Sequence, residues 1–256
     1  MLIEICVDSL DSAVTAEKGG ADRVELCSDL LEGGITPSAG LIQAVRSKID
    51  IPIFAMIRPR GGDLYYSASE FDIMVSDVIE TKRLGADGVV LGLLTKDGQV
   101  DIDRTSRLVE LAYPLQVTFH RAIDMAPDME RACEDIVSTG AHRILTSGGK
   151  QTAELGAEQI ARVVKVANGR IAVMVGSGIR AHNVQEIARL TGAREFHGSL
   201  RKRIPSPVTY RNHALSMGDQ KDNEFTRYML LEEDVRALRQ AVDGAVEMAG
   251  RRESVQ

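Results

Sequence analysis

The sequence predicts an α/β fold: a single (β/α)8 barrel of the TIM type, with one long segment after the eighth strand. Three observations carry this. Short apolar runs alternate with amphipathic stretches from one end of the chain to the other, in eight units at roughly 30-residue spacing. The length, 256 residues, is close to the roughly 250 that such barrels need. No linker or shift of composition divides the chain, so residues 1–256 read as one domain. A doubly wound sheet is the structural rival. Its glycine-rich fingerprint should follow the first strand, but Asp8-Ser9-Leu10 stands there, and no other nucleotide-cofactor motif is present.

Taken in order, Leu2–Val7 reads as strand one, and 9–18 as a helix closed by Gly19-Gly20. Strand two is Arg23–Cys27, and Glu32-Gly33-Gly34 forms a loop. Thr36 is expected to cap the next helix, with Pro37 at its first position, where a missing N–H costs nothing. Strand three, Ile51–Ile57, breaks abruptly into Arg58-Pro59-Arg60-Gly61-Gly62-Asp63, and Pro59 ends the sheet there. Ser67 and Glu70 form a capping box ahead of Phe71, Met74, Val75 and Val78 at helical spacing. Strand four is 88–94, with a helix near 103–112; strand five is 115–120, with a helix near 128–138. Strand six, Arg143–Thr146, ends in Ser147-Gly148-Gly149, and Ile160, Val163, Val164 and Ala167 mark the next helix. Strand seven, 171–175, ends in Gly176-Ser177-Gly178, a helix follows near 183–190, and strand eight is 195–199. Leu231, Val235, Leu238 and Val242 stripe the last helix. The connection 200–229 is too long for an ordinary loop and starts on the face where barrel active sites lie, so it reads as a lid, an oligomer contact or a mobile surface loop. Residues 251–256 read as a disordered tail.

Composition removes several functions. The formal net charge is -6 with no long basic run, which argues against nucleic acid as a partner. There is no Trp, and five Phe and five Tyr are too few for an aromatic stacking platform. No apolar stretch reaches membrane length, so no membrane partner is expected. Met1-Leu2-Ile3 runs into Glu4 without an export signal, so the expected location is cytoplasmic, with Cys6, Cys27 and Cys133 as free thiols.

Strand alternation sorts the chemistry. Glu4, Cys6 and Asp8 share the inward face of strand one, and Arg23, Glu25 and Cys27 that of strand two. Phe54, Met56 and Arg58 share a face of strand three; Gln116, Thr118 and His120 point inward from strand five, and Glu195, His197 and Ser199 from strand eight. Strands four and six look apolar on both faces and are not oriented by this argument. An interior this charged must be paired or functional, because isolated buried charges are costly. Glu4, Arg23 and Glu195 sit deepest and could simply neutralise one another. The residues late in their strands are the better site candidates. Arg58 and Arg60 would clamp a small anionic ligand, aided by backbone N–H groups at Gly176 and Gly178. His120 would act as acid/base, with Glu25 or Asp124 fixing its tautomer. A divalent metal on Glu25, His120 and His197 is a further alternative. A Schiff-base lysine is not expected, since Lys150 lies beyond strand six and no other lysine falls late in a strand. Cys6 and Cys27 sit on neighbouring strands and could share one linearly held Cu(I), or could be small apolar fillers. Cys133 reads as packing.

These motifs together resemble the CutC family, described as copper homeostasis proteins. The resemblance rests on EICVDS (4–9), GGADRVELCS (19–28), EGGITPS (32–38), IPIFAMIRPRGGD (51–63), VTFHRAID (117–124), RILTSGG (143–149), EFH (195–197) and YRN (210–212), in that order. It implies a TIM barrel, a cytoplasmic location, a homo-oligomer (dimer or tetramer) and a Cu(I) role, with Cys6 and Cys27 matching the cysteines proposed as copper ligands. A copper buffer has no use for RPRGGD or FHRAID, so two alternatives stand beside it. One is a barrel enzyme acting by acid/base chemistry on a small anionic substrate; the other is a scaffold with a vestigial pocket.

Overall fold

The computed structural model describes residues 1–212, 214, 215 and 223–253. Eight strands close into a parallel barrel: β1 (Leu2–Val7), β2 (Arg23–Leu26), β3 (Ile53–Met56), β4 (Gly88–Leu91), β5 (Gln116–Phe119), β6 (Arg143–Thr146), β7 (Ala172–Val175) and β8 (Glu195–Gly198). Seven helices return the chain between them: α1 (Leu10–Lys18), α2 (Ala39–Arg46), α3 (Ala68–Arg83), α4 (Ile102–Ala112), α5 (Met129–Ser138), α6 (Ala157–Ala167) and α7 (Val184–Thr191). The long connection forms an antiparallel pair, β9 (Lys202–Pro205) and β10 (Thr226–Met229), before α8 (Glu232–Glu253) completes the ring. Residues 213 and 216–222 of that connection lie outside the described residues. So do 254–256 of the expected tail, whereas 251–253 belong to α8 rather than to a disordered end.

The apolar face of each strand packs against the helices. Ile3, Ile5 and Val7 of β1, Val24 and Leu26 of β2, and Phe119 and Phe196 are buried in one continuous core. Each such side chain contributes roughly 1.5–3 kcal/mol of transfer free energy. Helix starts follow local hydrogen-bonding chemistry. Ser67 and Glu70 form the expected capping box, and Asp101 and Asp128 cap α4 and α5. The start of α2 differs from expectation. Ser38, not Thr36, is its cap, accepting from the Leu41 N–H. Thr36 is occupied elsewhere: its hydroxyl accepts from the Arg58 N–H and donates to Asp77. A run of hydroxyl residues flanking Pro37 offers two caps, and the tertiary partner decides between them.

Register places the interior chemistry. Glu4 of β1 stands level with Arg23 of β2 on one side and His197 of β8 on the other, and Cys6 stands level with Glu25.

Candidate functional site

The deepest layer of the barrel is a ring of paired charges. The Arg23 guanidinium bonds Glu4 and reaches Glu195, and Arg143 bonds Glu195. The Phe54 ring lies against both arginines, with its centroid 4.5 Å from Arg23 and 5.5 Å from Arg143. Gly88 opposite makes the room, since a Cβ there would stand 2.7 Å from the ring. Glu4, Arg23 and Glu195 therefore have a structural role. Arg143 was not identified from the sequence because its strand looked apolar on both faces. In the structure it points inward from β6, toward Gln116, Thr118 and Glu195.

Nearer the strand ends lie Cys6, Glu25, Cys27 and His197. His197 Nδ1 is 2.8 Å from Glu4 Oε1, and Nε2 is 3.8 Å from Glu25 Oε2. Burial would raise the Glu4 carboxyl, but Arg23 and His197 outweigh it and hold it at about 2. Burial works against the His197 imidazolium, but the charge of Glu25 and hydrogen bonds to Cys6 and Glu4 raise it well above the ordinary histidine value. Burial lifts Glu25 above the usual carboxylate value, with His197 pulling the other way. Among the described residues two groups here could hold a metal ion: Cys6, Glu25 and Cys27, and Glu4, Glu25 and His197. His120 is part of neither, which corrects the grouping of Glu25 and His197 with His120.

The cysteines do converge. Cys6 Sγ donates to Cys27 Sγ at 3.9 Å, and Cys27 Sγ donates to Glu25 Oε2 at 3.5 Å. The sulfurs are closer than a straight S–metal–S line needs, about 4.6 Å for bonds of about 2.3 Å, the zinc–thiolate length. The bond to Cys27 and burial hold the Cys6 thiol well above its usual value. The bond from Cys6 lowers the Cys27 thiol, but burial and the Glu25 charge push it up to about 12. Both are thiols until something displaces their protons. Cys133 is buried on the helix side, packed in the core as expected.

Above this layer opens a cavity of about 880 Å³, lined by Cys6, Glu25, Met56, Arg58, His120 and His197 among others. Five strands thus bring their late residues to one space. Arg58 is held by backbone carbonyls: Nη1 donates to the Glu32 and Gly34 oxygens, and Nη2 to Gly62. Arg60 does not line the cavity. Its guanidinium is taken up by Asp63, Glu70 and the carbonyls of Gly61, Asp63 and Tyr65. Of the two glycines, Gly178 borders the cavity and Gly176 does not. Asp8 sits 3.9 Å from Arg201 and off the cavity wall.

His120 and Asp124 are not partnered as expected. His120 Nδ1 accepts from the Ala122 N–H, so the proton of the neutral ring is on Nε2. Asp124 instead accepts from Thr146, Ser147, Gly149 and Arg121, tying a 3₁₀ turn at Arg121–Met125 to the loop after β6. Burial, with Arg58 nearby, pushes His120 down to about 3. At neutral pH the ring is a fixed hydrogen-bond donor rather than a proton carrier. Among the described residues no helix is long and apolar enough to cross a membrane.

The known proteins that this chain resembles agree with one another. The model of the CutC family matches residues 1–202. A CutC family protein of Chromobacterium violaceum is 48% identical over 244 residues, covering 95% of this chain and 99% of its own. A human protein named as a copper homeostasis protein cutC homolog is 49% identical over 217 residues, 85% of this chain and 80% of its own. The crystal structure of a CutC protein from Streptococcus agalactiae superposes with a TM-score of 0.74 at 35% identity, over 78% of this chain and 98% of that one. A native KDPGal structure, at 15% identity and a TM-score of 0.54, shares the barrel fold alone. With a barrel that brings Cys6 of β1 beside Cys27, the residue just after β2, and relatives matched along nearly its whole length, this chain belongs to the CutC family.

Proposed function

We propose that this chain binds Cu(I) between Cys6 and Cys27 and serves in copper homeostasis. The observation that carries the reading is the pair of free, buried sulfurs 3.9 Å apart, with Cys6 on the wall of an open cavity. Thiolates are the ligands that a soft monovalent ion prefers. The human and Streptococcus agalactiae relatives, named for copper homeostasis, support it. The donor set fits an ion placed off the line between the sulfurs, with the Glu25 carboxylate within reach as a third donor. The His197 imidazolium beside Cys6 balances the charge that two thiolates leave around one monovalent cation. The test is metal stoichiometry under reducing conditions against a competing chelator. About one Cu(I) per chain is expected, with little Zn²⁺, whose tetrahedral shell two thiolates do not complete. The double variant Cys6→Ser/Cys27→Ser should lose the ion; unchanged binding would overturn the proposal.

A second reading is acid/base catalysis on a small anionic substrate. The observation favouring it is the Glu25–His197 pair, 3.8 Å apart on the cavity wall and both shifted above their ordinary values, so that proton transfer would use that pair and not His120. A turnover lost in Glu25→Gln with Cu(I) binding retained would separate it from the first.

A further inference from the structure

Arg58 is the unusual charge of this barrel. Its side chain belongs to a residue only 8% exposed. Among the described residues the other two buried arginines, Arg23 and Arg143, each bond a glutamate. Among the described residues Arg58 forms no ion pair; its partners are three neutral carbonyls. A buried cation without a counter-charge is expensive and calls for an anion. Its Nε–H has no acceptor either. The Tyr66 hydroxyl lies beside the guanidinium as a loose polar neighbour, and being neutral it leaves the charge uncompensated.

A second orphan lies on the same wall. His120, 6% exposed, keeps its Nε2–H without an acceptor. Gly92 behind it fixes the ring, because a Cβ there would stand 2.5 Å from its edge. Buried donors of this kind are nearly always satisfied, by protein, water or ligand. The rest of the wall includes Leu30, Met56, Leu94 and Leu145, and the cavity is of a size that takes small organic ligands.

We propose that this cavity binds a small metabolite with an oxyanion head, carboxylate or phosphate, and an apolar body. The head compensates Arg58 and accepts the His120 Nε2–H; the body lies on the leucine and methionine side chains. The head is held by Arg58 and His120 and not by the thiols, although Cys6 borders the same cavity, and the proposal does not rest on copper binding.

The experiment uses the metal-free full chain at neutral pH and constant ionic strength. Inorganic phosphate and malonate are titrated separately, with chloride as the control. The readouts are the thermal midpoint and the ¹⁵N resonance of His120 Nε2. A saturable rise in Tm, with the His120 signal moving on the same curve, is expected for at least one anion and not for chloride. Response to phosphate alone assigns a phosphate ester, and response to malonate alone a carboxylate. His120→Asn keeps an acceptor for the Ala122 N–H while removing the Nε2 donor, and should weaken binding about tenfold or more. The proposal is overturned if neither anion gives a saturable response, if the His120 resonance stays still, or if a folded His120→Asn binds as tightly as the parent.

Discussion

Gly88 and Phe54 are complementary: the missing side chain of one is the space occupied by the ring of the other, at 2.7 Å from where a Cβ would be. The ring in turn lies against Arg23 and Arg143. Gly88→Ala should therefore destabilise the barrel by roughly 1–3 kcal/mol, the usual cost of overpacking. Phe54→Leu in the same chain should recover part of that loss. Denaturant melts of the two single variants and the double variant measure the coupling, and strict additivity would count against the fit described.

Two acid-labile groups should act in different pH windows. His120 is depressed to about 3 in the folded chain, so its contribution to stability is complete above the ordinary histidine value and is lost as pH falls from about 6.5 toward 3. At pH 5 the loss is on the order of 2 kcal/mol. Glu4, held at about 2, contributes fully above about 4.5 and loses its share as pH falls toward 2. His120→Asn should flatten the stability profile between about 6.5 and 4.5 and leave the steep fall below it. Equilibrium melts across pH read both windows.

His197 has the opposite sign. Its folded value is raised, so its contribution is complete below about 6.5 and disappears as pH rises through the raised value. His197→Gln should remove an alkaline decline in stability that the parent shows. A parent profile flat on the alkaline side would contradict the imidazolium between Glu4 and Glu25.

Copper uptake should release protons, because both thiols are held above their ordinary values. Calorimetry in buffers of different ionisation heat should count about two protons per Cu(I) near neutral pH. A count near zero would mean that the cysteines are already thiolates, contrary to the bonding Cys6→Cys27→Glu25.

Arg58→Ala should cost roughly 2–4 kcal/mol, because it removes hydrogen bonds to three carbonyls that join the loop after β2 to the loop after β3. Protease cleavage near 30–34 and 60–64 should accelerate in the variant. The arginine-glycine motif predicts an anion clamp with Arg60, and the carbonyl bonds give Arg58 a structural role besides.

The sequence made the barrel and most of its interior legible, for a simple reason: inward and outward residues alternate, and charged residues on an inward face stand out. Glu4, Arg23, Glu25 and His197 were found that way. Arg143 escaped because it is the first residue of an otherwise apolar strand, where face assignment has least support. The roles of Arg58 and Arg60 were not legible in a shared motif. Arg60 has nearby carboxylates, Asp63 and Glu70, that draw it outward. Arg58 is fixed by carbonyl oxygens, which every residue carries and no sequence pattern reveals. The His120–Ala122 bond is of the same kind, and it decides the tautomer that had been assigned to a carboxylate.

Glu4 meets Arg23 across 19 residues of chain but meets His197 across 193. The second meeting carries an extra loop-closure entropy of roughly 2 kcal/mol, from the logarithmic dependence on loop length. During synthesis β1 and β2 can pair early, while the far edge of β1 has no partner until β8 has emerged. Until then the nascent barrel is an open sheet with an exposed edge, the form of a β-structure most prone to pair with another chain. The hydrogen bond between His197 and Glu4 is thus a late event in folding, formed as the ring shuts, and chains ending before residue 195 should be captured by chaperones far more than the full chain.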